Sequence, residues 1–280
     1  MLKKTLKSGI IIPALGFGTW EMGGRNTKDE SEDDKYIQAI RTALETGFRH
    51  IDTAEEYGSG HTETLVAQGV TDYNREDLFI TSKVSKLNLA YKDLISALEK
   101  SLERLGTDYL DLYLVHHPNP EIPVSETMKA LDELVDKGKI KAFGTSNFNV
   151  EQLKEAREAA KNPIDVNQIE YNLQTRNAGK FNVDMEKSII PYCRENDIQV
   201  VAWRPLAKGQ LNGENSVIKY LMEKYDKTLE QIALNWLIHK QGLATVVKAT
   251  SKHHIQENFH SSDFQMEEKD YLVLDMLNKG

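Results

Sequence analysis

The chain has a single cysteine, Cys193, in 280 residues. That count excludes an intrachain disulfide and a cysteine-only metal site, and it suits a reducing compartment. Cys193 falls in PYCRENDIQ, a helix-like run in which a lone thiol reads as a packing residue. No apolar stretch reaches the ~18 residues of a membrane span and no signal-peptide pattern opens the chain, so the expected location is the cytoplasm. Positive charge is scarce too: 35 Lys and Arg stand against 43 Asp and Glu, a net charge of −8. An acidic surface repels phosphate backbones and anionic headgroups, which argues against nucleic acid and membranes as partners. Glycine signatures are also missing. GFGTWE and GSGHTE both fail the last position of G-x-G-x-x-G, and there is no P-loop, H-E-x-x-H or G-x-S-x-G. A Rossmann enzyme, a P-loop ATPase, a zincin and an α/β-hydrolase are therefore disfavoured. No low-complexity linker or shift in composition divides the chain, so one domain over 1–280 is expected.

What the chain does have is a strand-helix repeat. Eight short apolar or β-branched runs recur near 14–19, 48–52, 78–83, 110–115, 140–144, 165–169, 198–203 and 245–248, each followed by helix-like sequence or a loop. Alternation of this kind makes a parallel sheet, and eight units in this length predict a closed (β/α)₈ TIM barrel. An N-terminal β-hairpin precedes it, with Ser8-Gly9 as the turn and Ile10–Ile12 as the return strand. YKDLISALEKSLERLG is a helix closed by Gly106, and NVEQLKEAREAA is a helix capped by Asn149. Pro191 marks an early helix turn or a kink. SVIKYLMEKY and SKHHIQEN are extra helices after strands seven and eight, where barrels often bind phosphate. The last helix is MEEKDYLVLDMLN.

Most of the runs end on residues able to do chemistry, and a barrel gathers its strand ends at one rim. Asp52, Tyr57, Lys83 and His116 come from the ends of strands two, three and four. A phenol has a free pKa of about 10, and a nearby ammonium lowers it. A carboxylate beside the lysine holds the ammonium charged, and an imidazole can orient a carbonyl. Together they form a tunable proton donor beside a cation, which suits carbonyl reduction.

The chain resembles the aldo-keto reductase family over nearly its whole length. The resemblance rests on GFGTW (16–20), FRHIDTAEEYG (48–58), ITSKV (80–84), LYLVHHP (112–118), FGTSNF (143–148), NQIEYN (167–172), AWRPLAKG (202–209) and VVKATSKHHIQEN (246–258). It implies a (β/α)₈ barrel that binds NAD(P)H without a Rossmann motif and reduces aldehydes and ketones by hydride transfer from the nicotinamide. It also implies that Tyr57 is the proton donor, that Lys83 and Asp52 tune it, and that His116 orients the carbonyl. Ser146, Asn147 and Gln168 would hold the nicotinamide carboxamide. Trp203 would stack on the ring, where many members have tyrosine. Leu206, Lys208 and Gly209 would lie near the pyrophosphate, and Gly18, Thr19, Arg204 and Thr250 would also contact the cofactor. Glu257 and Asn258 match adenine contacts.

At the adenine end Lys248 is kept, but the usual serine is Ala249 and the usual arginine is His254. Arginine offers a permanent bidentate charge, whereas histidine is mostly neutral at pH 7. Lys248, Lys252, His253 and His254 still make a basic cluster without an acid among them, so the expectation is NADPH with NADH usable. His117 replaces a tryptophan common in the family, and the chain stops soon after its last helix. Both features predict an open pocket for small carbonyl substrates such as dicarbonyls or oxidised sugars, with Trp20 and His117 lining it. The expected assembly is a monomer, with no metal.

Singly, each of these residues has a plainer reading. Asp52 could cap a turn, Tyr57 could pack, Ser146-Asn147 could cap a helix, and Trp203 could be core. Lys83 is harder to dismiss, because a lysine in a barrel interior needs a partner. Two rivals remain at this point. A metal-dependent barrel hydrolase could use Asp52, His116 and His117 as ligands, though it leaves Tyr57, Lys83 and Trp203 without roles. A non-catalytic, cofactor-binding regulatory subunit would need none of the four to act.

Overall fold

The computed structural model describes residues 2–277. Strands β1 (Lys3–Thr5) and β2 (Ile11–Pro13) pair antiparallel as the expected hairpin, with Gly9 at φ +89° in the turn. The barrel proper is built from β3 (Leu15–Gly18), β4 (His50–Asp52), β5 (Phe79–Val84), β6 (Leu110–Val115), β7 (Ile140–Ser146), β8 (Val166–Glu170), β9 (Gln199–Trp203) and β10 (Leu243–Val247). All eight are parallel, and β10 closes onto β3. The outer helices are α1 (Asp33–Thr46), α2 (His61–Val70), α3 (Tyr91–Leu105), α4 (Val124–Asp136), α5 (Val150–Ala159), α6 (Ile190–Glu195), α7 (Ser216–Tyr225), α8 (Leu229–His239), α9 (Lys252–Phe259) and α10 (Glu268–Met276). The predicted fold class and both extra helices, α7 and α9, are present. The final helix was expected to run to Asn278, which lies outside the described residues.

Local sequence explains the elements. In α3, Leu94, Ala97, Leu98, Ser101, Leu102 and Leu105 recur at three- and four-residue spacing and are all buried, and Gly106 at φ +63° ends the helix. Asn149 and Gln152 form a reciprocal capping box at the start of α5, and Thr228 and Gln231 do the same for α8. Pro191 is the second residue of α6, which continues directly from a π-helical turn over Met185–Ile189. Cys193 is buried in the core, as a packing residue should be. The second barrel strand begins later than expected, at His50 rather than Phe48. The Phe48 N–H is bonded to Ala43 O at the end of α1 (3.0 Å), so it cannot enter a ladder.

Two separate apolar cores follow from the period-two geometry of strands. Leu112, Leu114, Ala142, Val166, Val201, Ala244 and Val246 point into the barrel, where Leu6 and Ile12 of the hairpin join them. Their neighbours Tyr113, Val115, Phe143, Ile169, Val200 and Ala202 face the helices. The inward parity decides where the chemistry goes. Continued to the strand ends it carries 50 and 52, 81 and 83, 114 and 116, 144 and 146, 166 and 168, 201 and 203, and 246 and 248 toward the axis. His50 is the inward residue lower down, with Nε2 3.0 Å from Thr81 Oγ1. The position opposite it must be glycine: a Cβ on Gly16 would lie 2.5 Å from the His50 ring.

Candidate active site

The floor of the site is an ion pair. Lys83, on β5, is wholly buried, and its Nζ donates to Asp52 Oδ1 at 2.6 Å, to Thr53 O at 2.8 Å and to Tyr57 Oη at 3.3 Å. The other Asp52 oxygen accepts from Gln168 Nε2 at 2.8 Å. Tyr57 leaves β4 on a tight turn in which Gly58, Ser59 and Gly60 all have positive φ. Only glycine fits at Gly58, where a Cβ would lie 2.4 Å from Gly23 O. The Tyr57 ring meets His116 edge-on at 5.6 Å. All four residues of the expected constellation are therefore assembled at one rim.

Their electrostatics differ from expectation in one respect. The ammonium was expected to lower the Tyr57 pKa. Burial pushes it up, and Lys83 opposes that without overcoming it, so the phenol stands above its ordinary value. Burial also presses on Lys83, but Asp52 and Tyr57 beside it carry it above the usual lysine range. Burial lowers His116, against the pull of Glu56. His117, stacked on His116 at 4.9 Å, is driven down to about 4, again chiefly by burial. The ensemble is a protonated phenol touching a fixed ammonium, beside two imidazoles whose charged forms burial disfavours.

A cavity of about 1040 Å³ opens above this floor and runs from Tyr57 and His116 to α9. Its middle is a polar network. Ser146 Oγ donates to Gln168 O (3.0 Å), Asn147 Nδ2 donates to His116 O (3.1 Å), and Trp203 Nε1 donates to Asn147 Oδ1 (3.2 Å). Asn147 itself has φ +65°. Trp20 crosses the opening from the loop after β3. Arg25, Arg204 and Lys208 surround its ring at 5.6, 5.4 and 4.4 Å. Leu206 and Gly209 line the cavity beside them, and Gly18 lines it from β3. At the far end lie Lys248, Ala249 and Thr250, followed by His254, Glu257 and Asn258 of α9. Ser251 caps α9 by accepting from the His254 N–H at 3.3 Å.

Among the expected site residues, Lys83 lies beneath the cavity and Thr19 does not line it. Thr19 donates from both its N–H and its hydroxyl to Asp52 O, at 3.0 and 2.9 Å, and ties β3 to β4. This contact anchors Thr19 at the rim, between the ends of the two strands. Folding adds to the basic cluster around Lys248: burial lowers the Lys248 pKa, and Glu21 and Glu32 act on it against the nearby cations Lys208 and Lys35. Several lining residues escaped sequence reasoning: Glu56, Arg25, Lys35, Lys180 and Phe181. Glu56 neighbours Tyr57 and could have been suspected; Arg25, Lys180 and Phe181 sit on loops and Lys35 in the first turn of α1, with no strand position to flag them.

The donor set fits a dinucleotide. Arg204, Lys208 and Lys248 supply cations along one wall, Trp203 supplies a ring face, and the start of α9 faces anions favourably. The hydrolase alternative finds no such support. Asp52 is engaged with Lys83 and Gln168. Among the described residues, the His, Asp and Glu groups near enough to share an ion are His253–His254–Glu257 and Glu30–Asp33–His61, and neither contains Asp52, His116 or His117.

Comparison with known proteins gives a consistent result. The sequence model of the Aldo/keto reductase family matches residues 14–279. A glyoxal reductase from Bacillus subtilis (strain 168) is 37% identical over 286 residues, covering 99% of this chain and 94% of that protein. The crystal structure of a thermostable aldo-keto reductase, Tm1743, in complex with the inhibitor epalrestat superposes with a TM-score of 0.93 at 40% identity, covering 99% of this chain and 100% of that one. An aldo-keto reductase from Klebsiella pneumoniae in complex with NADPH gives a TM-score of 0.84 at 32% identity, with coverage of 99% and 95%.

Proposed function

The chain belongs to the aldo/keto reductase family, and from that premise we propose that it reduces small aldehydes and ketones, α-dicarbonyls among them, with NADPH as cofactor. The observation that carries this reading is the buried Lys83 ammonium, held between Asp52 and the Tyr57 hydroxyl at the base of the cavity. NADPH, when bound, supplies the hydride. Tyr57 protonates the carbonyl oxygen; its raised pKa keeps the proton in place until charge builds on that oxygen. Lys83 then stabilises the phenolate that remains, and Asp52 keeps the lysine charged and still. His116 orients the carbonyl from the side of the ring facing the cavity.

For the cofactor, Ser146, Asn147 and Gln168 would meet the carboxamide, and Trp203 would stack on the ring. Gly18, Arg204, Leu206, Lys208 and Gly209 would border the pyrophosphate, with Lys248, Ala249, Thr250, His254, Glu257 and Asn258 at the adenosine end. Lys248 without a neighbouring arginine supports NADPH preference with NADH still usable. Trp20 and His117 would wall the substrate side. The glyoxal reductase and the NADPH-bound relative support the substrate class and the cofactor. The test is a screen of NADPH oxidation over aldehydes, ketones, dicarbonyls and sugars, with NADH in parallel. Turnover of short aldehydes or dicarbonyls, faster with NADPH, is expected. No turnover across the screen, or a strong NADH preference, overturns the respective part.

A further inference from the structure

Glu56 is a cavity residue beside Tyr57 that the reaction as stated leaves without a task. It lies one position before Tyr57, and both of its oxygens are engaged. Oε1 accepts from Ser85 Oγ at 2.7 Å, and Oε2 lies 3.0 Å from His116 Nδ1. The His116 imidazole, and after it the Ser85 hydroxyl, hold this carboxyl down at about 2 against burial, so it is ionised throughout the neutral range. His116 Nδ1 is buried, and the Glu56 contact is close but off the axis of a straight ring hydrogen bond. With Nδ1 on the Glu56 side, Nε2 is the other ring nitrogen of His116, which lines the cavity.

We propose that Glu56 is a positioning residue: its carboxylate fixes the orientation of His116 and stabilises the doubly protonated ring, so that Nε2–H is presented to the carbonyl oxygen. The proposal rests on the reductase reading above. Its logic is one of proton placement. A neutral imidazole carries one N–H, and the partner of one nitrogen decides which. A carboxylate at Nδ1 claims that proton there, which leaves a neutral Nε2 bare, able to accept but not to donate. Donation to a carbonyl oxygen then requires the imidazolium, and the Glu56 charge favours that form. The other groups facing the ring divide. Asp52 on β4 supports the charged form. Lys83 on β5 opposes it, as does burial. Tyr57 meets the ring edge-on and His117 stacks against it. Glu56 is thus the nearest contact that opposes the lowering of His116 by burial.

The consequence is a pH signature. Carbonyl reduction is flat on the acid side and falls as pH rises through the His116 pKa. In Glu56→Gln the burial and Lys83 contributions are unopposed by the nearest carboxylate. The falling limb of kcat/KM then moves to lower pH by about one unit or more. Activity near pH 7 drops about tenfold while the acid plateau and the Kd for NADPH hold. Ser85→Ala, which releases the other Glu56 oxygen, should move the limb the same way by less. The His116 ring is followed directly by ¹⁵N NMR titration of the free protein, a readout independent of turnover. The proposal is overturned if the Glu56→Gln and wild-type profiles superimpose, if activity falls equally at every pH, or if the NMR titration of His116 does not move. If the wild-type protein reduces no carbonyl, the reductase reading fails, and the NMR titration still decides whether Glu56 controls the protonation of His116.

Discussion

Replacing Lys83 with methionine removes the cation from the floor of the site while keeping an unbranched side chain of similar length. Lys83 Nζ holds Asp52 at 2.6 Å, and its loss leaves that carboxyl, only 3% exposed, to Gln168 Nε2 at 2.8 Å. Breaking a buried pair by deleting one partner costs about 3–5 kcal/mol. At about 2–4 °C of Tm per kcal/mol for a chain of this size, the melting temperature of Lys83→Met should fall by roughly 6–20 °C. Adding Asp52→Asn removes the stranded charge, and a buried pair replaced on both sides is near neutral for stability. The double variant should therefore regain most of the lost melting temperature. Turnover should not return. Tyr57 has lost the group that opposes the effect of burial, and general-acid catalysis is worth about 10²–10⁴ in rate. Thermal melts followed by circular dichroism, together with NADPH-oxidation rates on one aldehyde, measure both quantities. A Lys83→Met protein that melts with the wild type refutes the reasoning, as does a double variant that recovers turnover together with stability.

Three further outcomes follow from the same coordinates. Burial pushes His50 down to about 4, so below its ordinary value of about 6.5 the unfolded chain takes up a proton that the folded one refuses. The stability present above that value is lost as pH falls toward 4, by about 3 kcal/mol; urea midpoints should show this slope for the wild type and a shallower one for His50→Gln. His254→Arg restores a permanent charge at the adenosine end and should raise the ratio of NADPH to NADH kcat/KM by about tenfold; an unchanged ratio would place the 2′-phosphate elsewhere. Asn149 accepts from Gln152 N at 2.9 Å as the cap of α5, and Asn149→Ala should cost about 1 kcal/mol of unfolding free energy, measured by urea titration.

The sequence disclosed the catalytic rim because strand periodicity is a strict geometric rule. Asp52, Lys83 and His116 fall at strand ends, Ser146 and Gln168 came with the family resemblance, and the structure shows that all five share the inward parity of their strands. Glycine and cap positions were legible for similar reasons, as Gly106 and Asn149 show. Arg25, Lys180 and Phe181 were not, because they reach the cavity from loops whose course depends on packing. Thr19 also ties β3 to β4, its hydroxyl donating to Asp52 O, which no pattern in the chain announces. The Tyr57 pKa was misjudged in direction because sequence reveals the neighbouring cation but not the depth of burial. The start of the second barrel strand moved by two residues because the end of α1 bonds the Phe48 N–H first.

The central claim is that the Tyr57 hydroxyl delivers the proton in carbonyl reduction. Tyr57→Phe removes one oxygen and leaves the ring to pack against His116. The account predicts that kcat for a short aldehyde falls by about 10²-fold or more, while the Kd for NADPH, measured by fluorescence titration, stays within about twofold. Near wild-type turnover in Tyr57→Phe, with the cofactor bound normally, would contradict it.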